Sequence, residues 1–234
     1  MAASTFLPST LAHADDWQTR LIKTSASDDV AYGLHVKLAQ GWKTYWRVPG
    51  VTGIPPTIKL EGPDVDGLDI AYPLPQRIID DSGEAIGYHD EVVFILRPKW
   101  KADAKPGPLN AKVSAFFGVC QNICRPAKFA SDLSTAVVDD AIMQKFSNLL
   151  PQAAEFVNKA VQNDATLTLT LGQVVQEIFV VGPAGTYFHK PTFGMGEARF
   201  KIDGLNDGQK LSGKDLDIVA VADGAGLEQT VTVA

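Results

Sequence analysis

Cysteine is scarce in this chain: 234 residues hold two, together with four histidines. One pair cannot provide the disulfide framework that holds small secreted domains together. Nor can two cysteines supply the four ligands of a structural zinc site. Long apolar runs are missing as well. The longest, such as Val92-Val93-Phe94-Ile95-Leu96, are strand-sized and fall short of the roughly 18 residues a membrane span needs. Positive charge is in deficit, with 21 Lys and Arg against 27 Asp and Glu and a net charge of −6, which argues against nucleic acid as a partner. No repeat or low-complexity tract stands out. What remains is an ordinary globular composition, 45% hydrophobic and 21% charged, long enough for one large or two small domains.

The two cysteines that are present stand close together, in Phe116-Phe117-Gly118-Val119-Cys120-Gln121-Asn122-Ile123-Cys124-Arg125-Pro126. A loop this small gains only about 2 kcal/mol from closure in the chain-entropy model, and a chain of this length can bury a large core without it. The pair therefore reads as a working dithiol rather than a staple. Bonded cysteines need Cα atoms about 4.4–6.8 Å apart. Positions i and i+4 lie about 13 Å apart on a straight strand and about 6 Å apart on a helix; a hairpin also brings them together. The apolar residues before the pair favour a strand leading into it, and Arg125-Pro126 is expected to break regular structure. The pair is placed at a strand end or hairpin, exposed enough to react.

The first 14 residues read MAASTFLPSTLAHA, and Ala12-His13-Ala14 has the form of an A-x-A cleavage site. Residues 1–14 are expected to be the end of an export signal or a disordered tail, with the folded chain starting near Asp15. An oxidising compartment also suits a lone cysteine pair.

The rest of the chain reads mainly β. Residues 31–38 alternate apolar and polar side chains, and similar strands are expected at 57–60, 92–96, 111–116 and 127–134. Gly and Pro clusters punctuate them, which suggests a β-sandwich. After Asp140 the spacing of Ile142, Phe146, Leu149 and Leu150 predicts a helix. With Ala153–Val161 adding a turn or two, 141–163 becomes a helical connector. Strands resume at 166–171, 174–181, 197–202, 216–221 and 229–233. The expected organisation is a sandwich over 15–140 carrying the cysteine pair, the connector, and a second, smaller β-unit over 164–234.

The stretch Gly41-Trp42-Lys43-Thr44-Tyr45-Trp46-Arg47-Val48-Pro49-Gly50-Val51-Thr52-Gly53-Ile54-Pro55-Pro56 resembles the W-x-x-Y-W…PG…G-x-P-P signature of the N-terminal periplasmic domain of DsbD-like proteins. Tyr72-Pro73-Leu74-Pro75, Gly87-Tyr88 and the cysteine pair followed by Pro126 extend the likeness over residues 17 to about 135. The second β-unit resembles the two-part periplasmic region of ScsB-type relatives. The resemblance implies two immunoglobulin-like sandwich units and thiol:disulfide interchange in the periplasm. It implies electrons taken from a membrane-embedded or thioredoxin-like donor and passed to oxidised periplasmic thioredoxin-fold partners, with no cofactor. Cys124 then becomes the partner-facing sulfur and Cys120 the resolving one. A cap loop over the pair corresponds to Ile79-Asp80-Asp81-Ser82-Gly83-Glu84, with Tyr88 beyond it. The three-residue spacing of the cysteines is shorter than the five of the best-known DsbD domains, and the chain lacks the membrane and thioredoxin-like modules.

Several residues carry rival readings. Arg125 either favours a Cys124 thiolate or solvates a turn. Asp80 and Asp81 either manage protons near the pair or form a solvated acidic loop. Trp42, Tyr45 and Trp46 form a docking surface or, as aromatics at this density usually do, pack the core. His35, His89 and His189 are scattered and read as ordinary strand or loop residues; His189 with Met195 is a weak hint of a copper site. For the whole chain the alternatives to interchange are an immunoglobulin-like binding module with an inert disulfide, and a copper-handling protein.

Overall fold

The structure is a computed structural model that describes residues 16–25, 30–51, 53–80, 83–103, 110–205 and 210–234. The expected signal or tail at 1–14 lies outside the described residues. In chain order the elements are β1 (Trp17–Lys23), β2 (Tyr32–Leu38), β3 (Lys43–Gly50), β4 (Thr57–Glu61), β5 (Val65–Ala71), β6 (Gln76–Asp80), β7 (Gly83–His89), β8 (Glu91–Trp100), β9 (Lys112–Cys120), β10 (Cys124–Asp132), β11 (Val137–Val138), α1 (Asp140–Ser147), β12 (Gln152–Ala153), β13 (Val157–Asn163), β14 (Thr166–Leu171), β15 (Glu177–Val181), β16 (Tyr187–Phe188), β17 (Thr192–Gly194), β18 (Glu197–Asp203), β19 (Asp215–Ala222) and β20 (Ala225–Thr232). The chain is mainly β and forms two immunoglobulin-like sandwich units.

The first sandwich packs the sheet β11-β1-β2-β8-β5 against the sheet β10-β9-β3-β7-β6, with β4 also paired to β9. Its core includes Leu34, Val36, Trp46, Phe94, Val113, Phe117 and Val119. The run Val92–Leu96 is buried throughout. One face of β8 meets the core, and α1 lies over β1 and β8 on the other side. A Cβ at Gly33 would fall 2.9 Å from the sulfur of Met143 on that helix, so the absent side chain is what lets α1 settle on the sheet. Asp139 caps the helix, its carboxylate accepting from the Ile142 amide at 3.2 Å.

The second sandwich pairs the sheet β12-β20-β19-β15 with β13-β14-β18-β16, and β17 joins β18. Phe156, Leu167, Leu169, Ile178, Phe200, Leu216 and Ile218 fill its core. The two sandwiches touch through Trp46 and Phe179, whose ring centroids are 5.9 Å apart, and through Arg77, which reaches Glu177.

Three local expectations are corrected. The helix ends at Ser147, and Val157–Asn163 is a strand of the second sandwich rather than further helix. Pairing of residues 157–163 with β14 supplies the backbone hydrogen bonds that a helix would have made locally. Arg125-Pro126 does not break regular structure: both residues lie in β10, an edge strand that tolerates a missing N–H. The strand expected from Val174 begins at Glu177, and Val174 itself is exposed.

Candidate functional site

Strands β9 and β10 form a hairpin in which Cys120 stands directly across from Cys124. Directly opposed residues project to one face, so the loop Gln121-Asn122-Ile123 closes the distance that a single strand could not. The Cα atoms are 4.1 Å apart and the sulfurs are bonded. The two sulfurs sit in different surroundings. Cys120 is 1% exposed, whereas Cys124 is exposed beside Ile123, which is 76% exposed.

The next strand inward is β3, where Lys43 pairs with Cys120 and Thr44 with Val119. Side chains alternate across a strand. Trp46 therefore turns into the core, while Lys43 and Tyr45 share the face of the cysteines. The Tyr45 phenol reaches both sulfurs, donating to Cys120 Sγ at 2.9 Å and lying 3.4 Å from Cys124 Sγ. Its ring fits a slot where side chains are absent: a Cβ at Gly53 would fall 2.6 Å from the ring, and one at Gly118 would fall 3.1 Å from it. Burial, aided by the Asp80 carboxylate, pushes the Tyr45 pKa up, so the phenol keeps its proton as a donor.

The hairpin β6–β7 continues this sheet on the other side of β3. Ile78 and Ala85 pack with Tyr45 and Cys120 in a small apolar cluster. Asp80, at the tip of β6, accepts from the buried Lys43 ammonium at 2.5 Å. Gly83 opens β7 with φ 109°, a backbone region that favours glycine. Glu84 turns away to the Arg77 guanidinium. Asp81 and Ser82, named as cap-loop candidates, lie outside the described residues.

Two further candidates sit elsewhere. Arg125 follows Cys124 on β10, so it points to the opposite face, where it pairs with the Asp16 carboxylate and stacks 5.2 Å above Trp42. Tyr88 points into the sandwich core and donates to the Pro73 carbonyl at 2.8 Å. Trp42, Tyr45 and Trp46 are all buried, as packing of such aromatics predicts. His35 contacts Glu91, His89 the Trp42 carbonyl, and His189 the Asp203 carboxylate. Among the described residues no three His, Cys, Asp or Glu side chains stand together as a metal site. Tyr45 was expected only to dock a partner or pack the core, and Lys43 carried no expectation. Their signal was the alternation in Lys43-Thr44-Tyr45-Trp46, which puts them on one face, but the register that sets them against Cys120 is tertiary.

Residues 13–134 match the family model of thiol:disulfide interchange protein DsbD, N-terminal. The chain belongs to this family. The match covers β1 to β10 of the first sandwich, the whole of the cysteine hairpin included. No curated protein matches the chain. Among solved structures, the chain is similar to the N-terminal periplasmic domain of ScsB from Proteus mirabilis, at 24% identity and a TM-score of 0.74, over 98% of this chain and 96% of that one. That likeness shows a shared fold through both sandwiches, beyond the end of the DsbD N-terminal match. In this chain's own geometry the signature has a physical content: the second aromatic of W-x-x-Y-W is Tyr45, and the glycine of G-x-P-P is Gly53, which makes room for the Tyr45 ring. Among the described residues no helix is long and apolar enough to cross a membrane.

Proposed function

We propose that the Cys120–Cys124 pair cycles between disulfide and dithiol as a periplasmic electron relay. It takes electrons from a membrane-embedded or thioredoxin-like donor and passes them to oxidised periplasmic partners of thioredoxin fold. The observation that carries this reading is the asymmetry of the pair: an exposed Cys124 beside a buried Cys120. Exchange requires in-line attack on one sulfur by an outside thiolate, and only Cys124 offers an approach. In the forward step the Cys124 thiolate attacks the partner's disulfide. Cys120 then attacks Cys124 Sγ, closing the Cys120–Cys124 bond and releasing the partner as a dithiol. Recharging runs in reverse, with the donor's thiolate attacking Cys124 Sγ.

Residues 15–140 carry this chemistry, and the sandwich that follows supports it. Membership of the DsbD N-terminal family supports the reaction class, and the periplasmic origin of the ScsB domain supports the compartment.

The test is a Cys120→Ala variant incubated with an oxidised thioredoxin-fold protein. A mixed disulfide through Cys124 is expected to accumulate, because Cys120 is no longer there to resolve it forward. Trapping by Cys124→Ala instead reverses the roles. A redox titration gives the second readout: a potential far below about −300 mV marks an inert structural bond and overturns the proposal.

A further inference from the structure

Lys43 is 2% exposed and stands directly across the β3–β9 pair from Cys120. Directly opposed side chains share one face, with Cβ atoms about 4.5–5.5 Å apart. Lysine is almost never this buried unless its charge is met, and Asp80 meets it at 2.5 Å. Lys43 thus starts across from Cys120 and its ammonium reaches to Asp80 on β6, whose charge is felt by Tyr45, the phenol bonded to the buried sulfur. Sandwich packing alone gives no reason for a cation at this position.

The exchange reaction gives one. When an outside thiolate bonds to Cys124 Sγ, the Cys120–Cys124 bond breaks and its electron pair goes to Cys120 Sγ. The outside sulfur is oxidised into the mixed disulfide, and Cys120 leaves as a thiolate. That anion forms where water hardly reaches. Tyr45 supplies one hydrogen bond, at 2.9 Å. The Asp80 carboxylate close by has the wrong sign: a like charge disfavours a second anion. Lysine beside a cysteine favours its thiolate.

We propose that Lys43 is the charge-compensating residue of the exchange reaction, its ammonium offsetting Asp80 so that buried Cys120 departs and returns as a thiolate. This rests on the reading of Cys120–Cys124 as an exchanging pair. The other groups around the sulfur leave Lys43 in this role. From β7, His89 pairs with Lys43 in register but its Nδ1 lies on the Trp42 carbonyl. Glu84 is held by Arg77. From β10, Arg125 is turned to Asp16 on the opposite face. Arg77 of β6 is taken up by Glu84 and Glu177.

A latch that merely keeps the hairpin shut has a different signature. Breaking the ion pair from either side then opens the site, and Lys43→Met and Asp80→Asn shift the Cys120 thiol in the same direction. Charge compensation requires opposite directions. The experiment measures the pH dependence of Cys120 alkylation in a Cys124→Ser background. Lys43→Met is expected to raise the apparent pKa by about one unit or more, a tenfold loss of thiolate near neutral pH. Asp80→Asn is expected to lower it. The Lys43→Met/Asp80→Asn double variant, which removes both charges of the pair, is expected to return toward the parent value, and it serves if Lys43→Met folds poorly. Shifts of one sign, or no shift, overturn the proposal. In parallel, the two-cysteine parent is titrated against dithiothreitol. A parent that fails to exchange sinks the functional reading. A parent that exchanges while Lys43→Met and Asp80→Asn leave the thiol unmoved sinks only the role of Lys43.

Discussion

Arg77 and Glu177 join the two sandwiches by a two-point ion pair, with Nε 3.1 Å from one carboxylate oxygen and Nη2 3.2 Å from the other. The same guanidinium pairs with Glu84, donates to the Ile178 carbonyl at 3.0 Å and lies 5.3 Å above the Phe179 ring. Burial alone lowers its pKa, but Glu177 and Glu84 outweigh burial and hold it above the ordinary arginine value. Arg77 belongs to β6, whose Ile78 and Asp80 reach the cysteine site. The second sandwich therefore holds the base of the hairpin that brings Ile78 and Asp80 to the cysteine site.

Glu177→Ala is expected to cost about 1.5–3 kcal/mol of stability, the range for hydrogen bonds to charged groups, read from urea unfolding. Amide exchange should speed up most in the β6–β7 hairpin. Uniform acceleration across both sandwiches would show that the ion pair holds the units together without holding the hairpin in particular.

Tyr45→Phe removes the hydroxyl that reaches both sulfurs and leaves the ring in its glycine-lined slot. Loss of a hydrogen bond to a forming thiolate is worth about 1.5–3 kcal/mol. Reduction by dithiothreitol is expected to slow by about tenfold or more in stopped-flow assays, with little change in unfolding midpoint. A parent-like rate would leave Tyr45 with a packing role only.

Trp46 lies fully inside the first core and against Phe179 of the second sandwich. Trp46→Ala is expected to cost about 3–5 kcal/mol, as large buried aromatics do. The loss should appear in denaturant unfolding with the cysteines oxidised. A loss below about 1 kcal/mol would mean that the site collapses around the gap.

Stability should fall on acidification in two steps. His35 accepts from Arg20 at Nδ1, which leaves Nε2 as the atom facing Glu91. Burial lowers its pKa below 6.5, outweighing the attraction of Glu91. Glu91 is itself held below 4.5, first by its hydrogen bond with Lys145. For both groups the folded pKa is the lower one, so their stabilisation is complete above the unfolded value and is lost as pH falls. The His35 step starts below 6.5 and the Glu91 step below 4.5, each with a slope of at most about 1.4 kcal/mol per pH unit. His35→Gln should flatten the upper step in urea titrations between neutral and mildly acidic pH. An unchanged slope would assign that step to other groups.

Much of the strand pattern was legible, because alternation along β4, β14 and β18 matches the burial of their side chains, whereas β2 alternates in sequence yet is buried on both faces. The cysteine hairpin was legible too, since bond length and strand rise leave few ways to join positions four apart. Strand β13 was misread because Ala153–Val161 carries no strong period of either kind, and its partner β14 decided the matter. Pro126 was misread for a related reason: whether proline interrupts a strand depends on whether that strand has neighbours on both sides, which is a property of the sheet.

For the site, the residues themselves pointed to an exchanging pair in a chain that does not need it as a staple, and the signature around Tyr45 and Gly53 pointed to the family. The tertiary structure decided which sulfur faces outward and which neighbours meet the other. Sequence distance carries no register between separate strands. Pairing of β3 with β9 brought Lys43 to Cys120 across a gap of more than seventy residues, and the fold of β6–β7 brought Asp80 to Lys43. The same alternation that sent Tyr45 to the sulfurs sent Arg125 and Tyr88 away from them. Adjacency in the chain suggested a role for Arg125, and the pleat of the strand removed it.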